Sequence, residues 1–172
     1  DVDYSTGHID FPGSVEVRGT VRSGFNVRAG GNITVEGHVE NNVHLQCEGH
    51  IAIQHGISGD KTIVRAKGSI YVKYINGARV QAGVDVVVAE YVFHSHISAG
   101  HCVDVLATSG KKQSGAILAG QILASKRVRA KHLGSGSAPP ALLMVGVDSE
   151  IVCRLAALHK RLDQCREVIA KM

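Results

Sequence analysis

Aliphatic residues recur every sixth position along the first part of the chain: Val15, Val21, Val27, Ile33, Val39, Leu45, Ile51, Ile57 and Ile63. An α-helix repeats its apolar face at about 3.6 residues and a strand at about 2, so neither alone produces this period. A parallel β-solenoid does, because each side of a coil needs one short strand and one corner, and three sides make a rung of about 18 residues. Strand alternation places a second inward residue two positions on along two of the three sides. The first side then reads Val15 and Val17, Ile33 and Val35, Ile51 and Ile53, Ile70 and Val72, Val86 and Val88, Val103 and Val105, Val128 and Ala130. The last side reads Val27 and Ala29, Leu45 and Cys47, Val64 and Ala66, Val80 and Ala82, Ile97 and Ala99, Ile122 and Ala124. Between them falls a lone apolar residue, in turn Val21, Val39, Ile57, Ile75, Val92 and Ile117. The pattern predicts an all-β fold of six to seven three-sided rungs over residues 1–133, with 1–12 as a cap segment.

One rung is interrupted. Val105 to Ile117 covers 12 positions where Val17 to Val21 covers 4, so residues 106–115 hold about eight inserted ones, the pair Lys111 and Lys112 among them. The repeat stops at a Gly/Ser/Pro linker within 134–148, where the apolar run Leu142 to Val145 is fit to add a strand to the last coil. Beyond it Ile151, Leu155, Leu158, Leu162, Cys165 and Ile169 alternate at spacings of four and three, with Asp148 a fitting N-cap. This predicts an amphipathic, coiled-coil-like α-helix over 149–172. Its narrow seam suits a second copy of the chain; covering the open end of the β-helix is the competing reading.

Composition agrees with narrow coils. Glycine occurs 20 times and aromatics make up 4% of the 172 residues. Gly13, Gly31, Gly49 and Gly68 share one corner, followed in register by Val84, His101 and Lys126. The chain starts at Asp1 and its helical pattern runs to Met172, which reads as a piece of a longer protein. The sequence contains no apolar run long enough to span a bilayer. Four cysteines without CxxC spacing fit a reducing cytoplasm, Cys47 falling on an inward position. A net charge of +4 permits an acidic partner without demanding one.

Ten histidines raise the question of a metal. Equivalent positions on successive rungs lie about 4.8 Å apart, so ligands must share a column or adjacent ones. His44 and His96 share a column but are separated in it by Ile63 and Arg79, and His50 stacks between Asn32 and Ser69. His94, His96 and His101 form one possible cluster, without a cysteine or carboxylate pair to complete a tetrahedral site. No metal or cofactor is expected. The outward column of the first side, Glu16, Thr34, Ala52, Tyr71, Val87, Asp104 and Arg129, holds no adjacent acids, so paired-carboxylate chemistry is not expected either. The last rung gathers Lys126, Arg127, Arg129 and Lys131 without an interleaved aromatic, which favours solubility and end protection over nucleic acid.

The segment Val2 to Gly13, VDYSTGHIDFPG, resembles the lead-in to the β-helix of the flagellar assembly protein A (FapA) family. So do Phe93-His94-Ser95 before Ile97-Ser98-Ala99-Gly100, then Ala130-Lys131-His132-Leu133-Gly134-Ser135, and Val145-Gly146-Val147-Asp148. The resemblance implies a right-handed parallel β-helix followed by a helical region. It also implies a non-enzymatic scaffold in flagellar assembly or polar placement, acting in the cytoplasm on a protein partner, with a further domain preceding it. On this reading the expected partner contact is His94, His96, Lys111 and Lys112 on the loop-bearing side. Two other classes stay open: a polymer-forming or division-site β-helix resembling bactofilins or the MinC C-terminal domain, and a hexapeptide-type acyltransferase. The five-residue steps from Ile70 to Ile75 and from Ile75 to Val80 speak against the equal-sided prism of the latter.

Overall fold

The structure, a computed structural model, describes residues 1–106, 114–134, 139–146, 151, 154, 158, 161 and 162. Three parallel stacks wind around one aliphatic core. Face one stacks β2 (Val15–Val17), β4 (Ile33–Val35), the start of β6 (Ile51–Ser58), the start of β8 (Ile70–Asn76), β10 (Val86–Val88), β13 (Cys102–Val105) and β16 (Arg127–Arg129). Face two stacks Val2, Val21, Val39, the ends of β6 and β8, β11 (Tyr91–Phe93), β14 (Ala116–Ile117) and β17 (His132–Leu133). Face three stacks β1 (Ile9–Phe11), β3 (Asn26–Ala29), β5 (His44–Cys47), β7 (Ile63–Ala66), β9 (Arg79–Ala82), β12 (Ser95–Ala99), β15 (Gly120–Ala124) and β18 (Ala141–Val145). The result is an all-β parallel solenoid of about seven turns.

The register follows the alternation. Val15, Ile33 and Ile51 pair in series on face one, and Val27, Leu45, Val64, Val80, Ile97 and Ile122 on face three. Most of these are fully buried, so the coil holds an uninterrupted aliphatic column. Segment 1–12 contributes directly to the stack, since Val2 bridges Val21 and β1 pairs with β3. The run Leu142 to Val145 lies within β18, paired to β15.

One corner departs from the six-residue spacing. Ile63 pairs with His44 and Arg79 and is only half-buried, whereas Val64 is fully buried. The corner after Ile57 holds one more residue than those after Val21 and Val39, and two more than those after Ile75, Val92 and Ile117. It turns on Gly59 at φ 139°, and the Thr62 amide donates to the Gly59 carbonyl at 3.0 Å. The buried Thr62 hydroxyl donates to Glu40 O at 2.7 Å, which offsets the cost of a polar group in the core. The hexad count therefore slips by one at this corner while the strand pairing does not.

Corners are bonded as thoroughly as strands. Gly31 N donates to Gly13 O, Gly49 N to Gly31 O, Gly68 N to Gly49 O, Val84 N to Gly68 O, His101 N to Val84 O and Lys126 N to His101 O, all at 2.8–3.2 Å. Side chains extend this ladder: Asn32 N donates to Ser14 Oγ, His50 N to Asn32 Oδ1 and Ser69 N to His50 Nδ1, at 3.0, 2.8 and 2.9 Å. His50 thus serves as a corner acceptor with its proton on Nε2. The helix expected at 149–172 lies outside the described residues except for Ile151, Arg154, Leu158, Arg161 and Leu162, which by themselves delimit no helix; all five are exposed.

Candidate interaction surfaces

His94 and His96 sit where face two turns into face three, between β11 and β12. His94 holds a left-handed backbone (φ 44°), which is costly for a branched-free but bulky side chain and is compensated locally. Its ring meets Phe93 edge-on at 4.2 Å, and the buried Ser95 hydroxyl donates to Phe93 O at 2.7 Å while accepting from Ala78 N at 3.3 Å. With Asp60, Asn76 and Arg79 the two histidines line a shallow polar recess. His101 belongs elsewhere: it lies past β12, at the corner leading to face one, in a groove with Arg65, Lys67, Gln81 and Lys126. The expected trio is therefore split between two corners. Among the described residues, no group of three or more His, Cys, Asp or Glu is placed to hold a metal ion.

Lys111 and Lys112 lie outside the described residues. The flanks of their loop, Leu106 and Ser114, lie between β13 and β14, at the corner from face one to face two. That corner is not the one carrying His94 and His96. Of the seam residues, Ile151, Leu158 and Leu162 are described and exposed; Leu155, Cys165 and Ile169 lie outside the described residues.

The loop-bearing corner carries a feature that the sequence reading passed over. Thr20, His38, Gly56, Tyr74 and Tyr91 follow one another in register there. The rings of Tyr74 and Tyr91 stack at 5.3 Å and 9°, and the Tyr74 hydroxyl lies 3.3 Å from His38 Nδ1, with His55 at 4.7 Å from the His38 ring. Gly56 makes this possible, since a Cβ there would occupy the Tyr74 ring. Burial, with Tyr74 and Glu90 nearby, pushes the Tyr91 phenol above its ordinary pKa. Beside this stack, on face one, Ala52, Tyr71 and Val87 form a shallow apolar groove edged by Gln54, Lys73 and Glu90. Aligning His38, Gly56, Tyr74 and Tyr91 by rung would have found the stack; changing corner lengths obscured it.

Charge is distributed by face. At the last rung Arg127 donates to Asp104 Oδ2 at 3.1 Å and Arg129 approaches Oδ1 at 3.8 Å, so the basic cluster is partly neutralised by the rung below. At another corner Lys67 pairs with Glu48. The thiols differ in kind. Cys47 fills an inward position in a column with Ala29 and Ala66, and burial raises its pKa, whereas Cys102 is half-buried. At neutral pH in the folded chain, iodoacetamide should alkylate Cys102 well before Cys47, read by mass mapping; equal rates would mean the Cys47 column is open.

A family model described as the Flagellar Assembly Protein A beta solenoid domain matches residues 1–172. No curated protein and no solved structure matches the chain.

Proposed function

We infer function from one premise: the chain belongs to the Flagellar Assembly Protein A (FapA) β-solenoid family. It serves in flagellar assembly as a non-enzymatic scaffold, holding a protein partner in the cytoplasm. The observation that carries this reading is the continuity of the stack. Strands and corners are hydrogen-bonded from rung to rung, which makes a stiff rod with fixed side-chain spacing on its faces. Such a rod positions partners without moving itself. The coil is right-handed in this reading, the hand that nearly all parallel crossovers adopt, and the exposed Leu158 and Leu162 form part of a seam joining two copies.

A second reading has its own observation. The last coil leaves Leu133, Leu142 and Val145 about half exposed or more (60%, 54% and 48%), an apolar end of the kind that stacks onto another solenoid. The neighbouring Lys126, Arg127, Arg129 and Lys131 oppose such stacking between like copies.

Deleting the gene and restoring it with variants tests the scaffold reading. The deletion should lose flagella, and a Leu158→Asp/Leu162→Asp chain should keep its β signal in circular dichroism while its mass shifts to monomer. A fully flagellated deletion strain would overturn the role. Filaments that grow with concentration would favour the second reading.

A further inference from the structure

Between β3 and β12, face three carries formal charge of one sign only. Along β3, β5, β7, β9 and β12 its outward positions are Asn26 and Arg28, His44 and Gln46, Ile63 and Arg65, Arg79 and Gln81, His96 and Ser98. There is no carboxylate in this set. Arg28, Arg65 and Arg79 are exposed, and among the described residues none of them makes an ion pair. The nearest carboxylate on the face, Asp10, stands beside Arg28 on β1 without bonding to it. By contrast, Arg18, Arg22, Lys67, Arg127 and Arg129 all have acidic neighbours within 4 Å. Three unneutralised guanidinium groups on a flat, rigid sheet are a standing invitation to carboxylates, which they bind as planar forks.

The spacing narrows the occupant. Arg28 and Arg65 are separated by two rungs, about 9.6 Å along the solenoid axis. Seven residues of an α-helix rise about 10.5 Å, and one turn, about 5.4 Å, is close to one rung. A helix lying along the axis would therefore present carboxylates at i and i+7 to Arg28 and Arg65, and one at i+11 to Arg79, which stands one rung beyond Arg65 in the neighbouring column. The amides of Gln46 and Gln81 alternate with the arginines and fit the intervening polar groups. No Phe, Tyr or Trp stands among these positions, so nothing between β3 and β12 stacks bases; Phe11 lies on β1, outside this stretch. Apart from Ile63, no large apolar side chain is offered to a lipid surface.

We propose that face three, from β3 to β12, docks an acidic α-helix of a protein partner, with Arg28, Arg65 and Arg79 as its anchors. This rests on the scaffold reading above and names the surface and the chemistry of its partner. His96 belongs to the same face, so one of the two histidines expected at the contact is retained in it, with Arg79 beside it in register.

The test uses the full chain and a labelled synthetic helical peptide carrying Glu at i, i+7 and i+11, with its Gln analogue as control. Binding should be saturable, weaken with salt, and be absent or much weaker for the Gln peptide. Arg28→Glu/Arg65→Glu/Arg79→Glu should lower affinity by about tenfold or more, and Arg18→Glu/Arg22→Glu/Lys73→Glu, equal in charge change but on other surfaces, by less than about twofold. Circular dichroism and thermal melts confirm that both variants fold. Equal losses in the two variants would overturn the proposal in favour of net charge alone. Tighter binding to duplex DNA or to phosphatidylglycerol vesicles, abolished by the same face-three variant, would overturn it in favour of a phosphate surface. If the face-three variant restores normal motility to the deletion strain, this face is not the partner's site and the scaffold reading stands; a motile deletion strain instead defeats the scaffold reading itself.

Discussion

Ile53→Asp should leave no folded solenoid. Ile53 points into the core on face one, is 3% exposed and lies between Val35 and Val72 in register. A carboxylate there has no buried partner, and water does not reach it. Burying an unpaired charge costs on the order of 5 kcal/mol or more, comparable with the whole stability of a domain. Because each coil touches only its neighbours, the damage also separates the stack into two shorter ones. Thr34→Asp, one rung below and facing outward, should change stability by no more than about 0.5 kcal/mol. Circular dichroism and chemical denaturation distinguish them, and similar behaviour of the two variants would mean the register is wrong.

Gly100→Val should damage its corner through backbone contact alone. A Cβ on Gly100 would fall well inside contact distance of the Gly83 carbonyl oxygen, and one on Gly83 would do the same to Lys67 O. Those oxygens belong to backbone fixed by the rung ladder, so the conflict cannot be relieved by a side-chain rotation. Glycine is what permits the close approach: the rung bonds donated by Gly30, Gly83 and Gly100 measure 2.9–3.0 Å, those donated by Glu48 and Lys67 at the same corner 3.2–3.3 Å. The expected cost is about 1–3 kcal/mol, or a fall in melting temperature of several degrees. Gly24→Ala is the informative comparison. Gly24 has φ 89° but open space around its Cβ position, so it bears only conformational strain. A larger loss at Gly24 than at Gly100 would show that backbone conformation, not inter-rung contact, governs these corners.

The core was legible because it is repetitive. Val27, Leu45, Val80, Ile97 and Ile122 each meet the same two neighbours above and below, so alternation alone assigns them. Legibility fails where corner length changes. At the Gly59 corner the six-residue ladder lands on Ile63, which stands in the His44 column, and it is strand alternation that assigns Val64 inward. The buried corner residues Phe25, Val43, Thr62, Ala78, Ser95 and Ala119 went unread because they mix aromatic, aliphatic and hydroxyl side chains. Thr62 and Ser95 bond turn backbone, whereas Phe25, Val43 and Ala78 pack on the core, so no single hydropathy class marks the position. Surface features were harder still. The Tyr74 and Tyr91 stack depends on Gly56 yielding its space, and the bare arginines of face three appear only when columns rather than neighbours in sequence are compared. Of the contact expected from His94, His96 and the lysine pair, the two histidines are placed at the corner between β11 and β12, and Lys111 and Lys112 lie outside the described residues.

The extra residue at the Gly59 corner has a consequence for how such a chain changes over generations. It alters one turn, yet the strands on either side keep their partners: Val64 still pairs with Leu45 below and Val80 above. A length change is therefore confined to the place where it occurs. Lineages of this fold can acquire, lengthen or discard projections one corner at a time, while the interior is inherited unaltered. Recognition and folding are thus open to separate selection.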